Sequence, residues 1–305
     1  MTSPRACRLG VQLPEVERRV GWPELLAMAT RAEDIGLDSI WLGDHLLYDL
    51  PDGSVRGPWE AWTSLAALAA HTRRVQLGTL VASLGFHAPA MLAKQAATVD
   101  AISGGRLVIG VGAGWNQREY DAFGFAFDRR VDRFEEAFHI VRRLLAGETV
   151  TAEGRYYSVD RCVIDPPPRA GAIPLMVGSV APRMQAITLP HVAAWNIWFT
   201  LFGNTPEGFA AHVAQVRDAC DRLGRDPDAV DATAAVLVQA PFGAGRTQGD
   251  DGFGPVPPVM GTPDQVADAL HAFGGAGARH LQVVLDPITL EGLDWLGEVV
   301  AAYDA

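Results

Sequence analysis

The chain has 305 residues, 49% hydrophobic and 20% charged, enough apolar material to bury a full core, so a single domain spanning 1–305 is the starting expectation. A net charge of −11 argues against nucleic acid, whose phosphates need clustered Lys and Arg. No apolar run reaches the roughly 18 residues of a membrane span, the opening residues lack the zones of a signal peptide, and Cys7, Cys162 and Cys220 are too scattered for a disulfide framework or zinc site; a cytoplasmic protein with no membrane partner is expected.

The first strand is a short β-type run at 8–13, followed by a helix at 23–35 that Pro23 opens and Gly36 ends, with Leu25, Met28, Ala29, Ala32 and Ile35 as its apolar stripe. The same unit recurs as strand 39–43 with helix 60–72, strand 75–82 with helix 89–102, and strand 106–112 with helix 128–146. It resumes with strand 174–178 and helix 182–190, strand 192–198 and helix 205–223, strand 233–239 and helix 263–276, and strand 280–285 and helix 291–304. Strands such as LVIGV, LMVGS and LQVVL are apolar throughout, as in a parallel sheet covered on both faces. Eight βα units at this length predict an α/β fold, a closed (β/α)8 TIM barrel, over an open doubly wound sheet. Two segments interrupt the period. Residues 148–173 read as a hairpin excursion before strand 5 ending in a proline run, and the Gly/Pro-rich 240–262 after strand 7 reads as either a lid or a plain surface loop.

Chemistry in a barrel gathers at the C-terminal ends of the strands. Strand 2 ends in Gly43-Asp44-His45, where an acid beside an imidazole makes His45 a candidate general acid/base and Asp44 its tuning partner. His71, His139, His212, His271 and His280 fall in helices or open a strand and read as packing; His87 lies at the mouth and His191 at the opposite end. No HExxH or other ligand spacing occurs, so no metal is expected. GVGAGWNQREY after strand 4 lacks the third glycine of GxGxxG and so is not a dinucleotide fingerprint; its glycines instead allow a planar ring to approach, with Gly114, Trp115 and Asn116 at the rim, unless the turn is merely tight. After strand 5, Gly178-Ser179-Val180-Ala181-Pro182-Arg183 combines free N–H groups, a hydroxyl and a guanidinium, a phosphate site or an ordinary capped helix.

Four segments in this order, 32–46, 75–124, 173–184 and 260–281, resemble the luciferase-like monooxygenase superfamily, particularly its coenzyme F420-dependent oxidoreductases. The resemblance implies hydride transfer between a deazaflavin and a small organic substrate, with a reduced-FMN monooxygenase or a non-catalytic cofactor-binding protein as alternatives, and a homodimer. It places Asp44 and His45 at the ring, a non-proline cis peptide within Gly78-Thr79-Leu80-Val81 at Leu80–Val81, the turn Gly114 to Asn116 beside the cofactor, and Gly178, Ser179, Val180 and Arg183 at its phosphate. Trp195 and Asn196 match a recurrent pair near the same mouth. The FMN-using luciferase branch carries an arginine where Ala113 stands here, which favours the deazaflavin, and the usual acid before the Trp-Asn pair is Ala193.

Overall fold

The computed structural model describes residues 5–169, 173–246 and 255–305. Eight parallel strands close into a barrel: β1 (Arg8–Gln12), β2 (Ser39–Leu42), β3 (Gln76–Ser83), β4 (Leu107–Gly112), β5 (Leu175–Gly178), β6 (Ala194–Ile197), β7 (Asp231–Gln239) and β8 (His280–Asp286). The order around the barrel follows the chain, and β8 pairs with β1 through Arg8↔His280 to Val11↔Val283. The (β/α)8 barrel expected from the sequence is therefore the fold.

Eight helices cover the outside: α1 (Trp22–Asp34), α2 (Ala61–His71), α3 (Pro89–Ser103), α4 (Arg130–Leu145), α5 (Pro182–Thr188), α6 (Pro206–Arg222), α7 (Pro263–Gly275) and α8 (Leu290–Tyr303). Proline stands in the first turn of α1, α3, α5, α6 and α7, where its missing N–H has no intrahelical acceptor to lose. Thr262 and Gln265 form a reciprocal capping box on α7, an arrangement worth about 1 kcal/mol. Each helix turns an apolar face inward; between β6 and the outer layer, Trp195 stacks on Phe209, which meets Phe202 and Phe273. Burying such a side chain contributes about 1.5–3 kcal/mol, so this cluster fixes α6 and α7 against the barrel.

The barrel interior also contains polar ties. The Ser39 hydroxyl accepts from Trp41 Nε1 and lies 2.7 Å from His280 Nε2, and burial pushes that imidazole well below its ordinary pKa. Asn196 on β6 donates to Thr233 on β7 and Gln282 on β8, a hydrogen-bonded floor across three adjacent strands.

Further elements lie outside the eight units. Val150–Glu153 and Ser158–Cys162 pair antiparallel, the expected hairpin excursion before β5. Tyr48–Asp49 and Val55–Arg56 form a two-residue ladder in the loop after β2, and Gln117–Phe123 forms a short helix after β4; the sequence pattern shows neither. The segment after β7 is pinned near its return, where Asn204 Nδ2 donates to Leu237 and Pro257 carbonyls. Its middle, 247–254, lies outside the described residues, so the expectation of a lid there cannot be placed.

Candidate active site

A cavity of about 440 Å³ opens at the C-terminal ends of the strands, within the usual range for sites that enclose an organic ligand. Its base is the end of β3, where Leu80–Val81 is a cis peptide at a register shift between Thr79 and Ala82. Val81 packs where β4 and β5 carry no side chain: a Cβ on Gly112 or Gly178 would come within 2.9 Å of a Val81 methyl. Those two glycines let the strand ends close around Leu80–Val81 and leave a flat apolar wall facing the cavity.

His45, just past the end of β2, lines the same cavity. Its Nδ1 lies 3.0 Å from Glu119 Oε2, and the other Glu119 oxygen accepts from the Leu46 and Leu47 amides. Glu119 belongs to the short helix Gln117–Phe123, which Asn116 caps by accepting from Arg118 N; that turn delivers a nearly fully buried carboxylate beneath the His45 ring. With Nδ1 engaged, Nε2 is the nitrogen left to face the cavity, 3.8 Å from Glu15 Oε1. Tyr48 and Trp115 flank the imidazole at ring-centroid distances of 4.8 and 5.6 Å.

Glu15, in the loop after β1, is buried behind His45, and a Cβ on Gly43 would fall 1.9 Å from its Oε1. Glycine at 43 is thus what lets this carboxylate approach the strand 2 loop. Arg246, from the segment after β7, is also buried; it donates to Glu17 at 2.7 Å and lies 3.7 Å from Glu15. Burial opposes charge on His45, but Glu15, then Glu119 and Asp44, outweigh it, so the imidazolium persists to higher pH than in a free histidine. Burial raises Glu15 above the ordinary carboxylate range, against the pull of His45 and Arg246. Tyr48 is driven well above its usual value, first by burial and then by Glu15 and Glu119, so its phenol stays neutral.

The residues singled out in the sequence divide into two groups. His45, Asp44, Leu80, Val81, Gly114, Trp115, Gly178, Ser179 and Val180 line the cavity. Asp44, however, does not reach its neighbour's ring: it accepts from Ser83 N and pairs with His87 Nε2 at 2.7 Å. Four others stand behind the wall. Thr79 donates to Gly110 O, Asn116 also donates to Leu47 O, and fully buried Trp195 donates to Ser179 O, steadying the turn before α5. Arg183 projects outward to Asp132 and Glu135 on α4. Glu15, Glu119, Tyr48 and Arg246 were not singled out; the nearest signal was the polar NQREY after a glycine-rich strand end.

The described residues include no cluster of three or more His, Cys, Asp or Glu arranged to hold a metal ion, and no helix among them is long and apolar enough to cross a membrane.

The family model for luciferase-like monooxygenases matches residues 8–242. An F420-dependent glucose-6-phosphate dehydrogenase of Microbacterium testaceum is 34% identical over 221 residues, covering 70% of this chain and 63% of that protein, so the chain spans a little under two thirds of the relative's length. Among solved structures, an F420-dependent secondary alcohol dehydrogenase in complex with an F420-acetone adduct superposes with a TM-score of 0.82 at 19% identity, covering 98% of this chain and 99% of that one. The EDTA monooxygenase of Chelativorans sp. BNC1 superposes with a TM-score of 0.77 at 16% identity, covering 98% and 93%. These two likenesses speak to the shared barrel. Together with the matched span, the closed barrel and the cavity at its strand ends place the chain in the luciferase-like monooxygenase family.

Proposed function

We propose that this protein is a coenzyme F420-dependent oxidoreductase, a cytoplasmic enzyme that moves a hydride between the deazaflavin and a small organic substrate, with His45 handling the proton. The observation that carries the reading is the pairing, across one cavity, of the flat Leu80–Val81 wall with an imidazole whose Nδ1 is fixed by buried Glu119. The residues suit a flat heteroaromatic ring. Gln12 Oε1 is a buried acceptor at the cavity with no hydrogen-bond partner, an unusual state that a ring N–H would relieve. Leu80, Val81 and Gly178 would lie against the ring, and the turn from Ser179 to Ala181 would border its side chain. The F420 named for the Microbacterium relative supports this cofactor over FMN, as does Ala113 at the position where the FMN-using branch carries arginine.

A bound deazaflavin supplies a carbon that accepts or donates a two-electron hydride and reacts poorly with oxygen. Everything else falls to the chain. When a carbonyl is reduced, its oxygen gains a proton from His45 Nε2; when an alcohol is oxidised, the hydroxyl proton leaves to the same nitrogen. Glu119 holds the ring in one orientation and stabilises its charged form, and Glu15 stands within 3.8 Å to exchange the proton. Tyr48 and Trp115 shield the ring from water on the outer side.

Anaerobic titration of the purified protein with F420 and, separately, with FMN, read by ring absorbance, tests the cofactor. Saturable F420 binding with substrate-dependent bleaching or recovery of its absorbance, abolished in His45→Ala, is the expected result. Oxygen uptake driven by reduced FMN, without an F420 reaction, would overturn it. F420 binding with no substrate-dependent absorbance change in the parent protein, and every property of His45→Ala unchanged, would leave a carrier rather than an enzyme.

A further inference from the structure

A second cavity, of about 270 Å³, adjoins the one that holds His45. The loops after β1 and β2 and the side of α2 enclose it, and it reaches the surface beside Arg19 and Trp59, both exposed. Glu15 lines both cavities, and no other described residue does. One of its oxygens makes the connection. Oε1 stands 3.8 Å from His45 Nε2 and lies against Gly43, a residue of the second cavity, so closely that a Cβ there would come within 1.9 Å of it. This atom is buried with no hydrogen-bond partner in the protein. Oε2 is the oxygen its neighbours hold: it accepts from Gln12 Nε2 at 3.2 Å and faces the Arg246 guanidinium at 3.7 Å. Burial raises the carboxyl above its ordinary range; His45, Arg246 and Tyr48 pull the other way and Glu17 adds to the rise, so Glu15 keeps a proton at milder pH than a free carboxylic acid does. A cavity of this size has room for several water molecules, and its wall offers them polar partners, Glu15 Oε1 at the inner end and the Ser64 hydroxyl on α2. Of the two guanidinium groups there, Arg18 is paired with Glu24 at 2.6 Å, and Arg19, at the exposed mouth, donates to Val55 O.

We infer that the second cavity is a water-filled proton route to the active site, in which Glu15 passes protons between solvent and His45 Nε2 while a ligand occupies the main cavity. The inference rests on His45 as the proton-handling group of the proposed function. A ligand over Leu80–Val81 covers the Nε2 side of the imidazole, and Tyr48 and Trp115 flank its ring, so bulk water reaches it poorly from the front. In carbonyl reduction the substrate oxygen takes the Nε2 proton and His45 becomes neutral. The Glu15 carboxylic acid then gives its proton to Nε2 through one bridging water, because 3.8 Å is too long for direct transfer. The carboxylate left behind takes a proton from water in the second cavity, which solvent restores. Alcohol oxidation runs the same chain outward, and in either direction the net change is one proton exchanged with solvent.

NMR of protein carrying isotope-labelled histidine reads how fast His45 exchanges its proton: fast exchange gives one ring signal that moves with pH, and slow exchange gives broadened or doubled signals. The main cavity is filled with F420, or with FMN where the protein binds FMN alone, so the cofactor assignment stands or falls separately from the route. Ser64→Leu and Val20→Phe each fill the second cavity from its wall and touch none of the residues around His45 described above. With cofactor bound, the parent should keep one averaged His45 signal, and both variants should exchange at least about tenfold more slowly. Without cofactor the main cavity is open, and the variants should match the parent, as an intact fold requires. An averaged signal in the cofactor-bound variants, slow exchange in the cofactor-bound parent, or a crystal structure of the parent with no water at Glu15 Oε1 in the second cavity would overturn the inference. Slow exchange confined to the cofactor-bound variants, with no turnover of F420, would count against the proposed function and leave the route standing.

Discussion

Replacing Glu119 by Gln removes one charge from beneath His45 while keeping the side chain's shape, and an amide oxygen can still accept from the Leu46 and Leu47 amides. Hydrogen bonds to charged groups contribute about 1.5–3 kcal/mol, and one pH unit corresponds to about 1.4 kcal/mol, so Glu119→Gln should lower the His45 pKa by about 1–2 units. In the parent protein His45 lies above its ordinary value, burial being outweighed by Glu15, Glu119 and Asp44. Reduction of a carbonyl draws on the imidazolium, so its rate is full at low pH and is lost as pH rises through that raised value. The variant should lose it at a pH about 1–2 units lower. Oxidation of an alcohol needs the neutral ring, and its rising limb should move down by the same amount. The stability contribution has the same sign: the paired imidazolium stabilises fully below the unfolded pKa of ~6.5 and ceases to do so as pH rises through the folded value, so the variant should differ from the parent most at neutral and acidic pH. The assay is kcat/KM against pH in both directions, with His45 followed by NMR titration. A variant whose limbs and imidazole titration coincide with the parent's would refute the electrostatic account of Glu119.

Two further substitutions probe the same corner. Gly43→Ala puts a methyl 1.9 Å from where Glu15 Oε1 now lies; we expect a loss of about 1–3 kcal/mol, as for overpacking, seen as a lower Tm, with activity reduced because Glu15 is moved from His45. Unchanged melting would mean Glu15 adapts freely. Arg246→Met removes the guanidinium from buried Glu15 and half-buried Glu17 and leaves Glu15 with His45 alone, 3.8 Å away; breaking a buried pair costs up to about 3–5 kcal/mol. Thermal melts should show the deficit growing as pH rises from 5 to 8, since Glu15, raised above the usual carboxylate range chiefly by burial, escapes the penalty by taking a proton. A deficit independent of pH would assign Arg246 a packing role over Trp198 alone.

The barrel was legible because its elements are locally encoded. Strands such as Leu107–Gly112 are continuous apolar strings and five of the eight covering helices open on proline, so 106–112 and 263–276 were expected within a residue or two of Leu107–Gly112 and Pro263–Gly275. The corner around His45 was only half legible. His45 could be picked out by its place at a strand end, but its partner lies 74 residues on, on a seven-residue helix too short and too polar to show an apolar period. Asp44 adjoins His45 in sequence, yet the two side chains part just past the end of β2, one to His87 and the other to Glu119. Arg183 illustrates the reverse limit. The residue types of a phosphate site are present, but the first turn of α5 aims that guanidinium at α4, a direction that spacing alone does not encode.

The contact of Arg246 with Glu17 and Glu15 stitches the loop after β7 to the loop after β1, across the strand β8 that separates them in the barrel. Anyone grafting a foreign segment in place of the former would leave buried Glu15 and half-buried Glu17 without their arginine, so productive chimeras must exchange both loops together or redesign positions 15 and 17 at the same time.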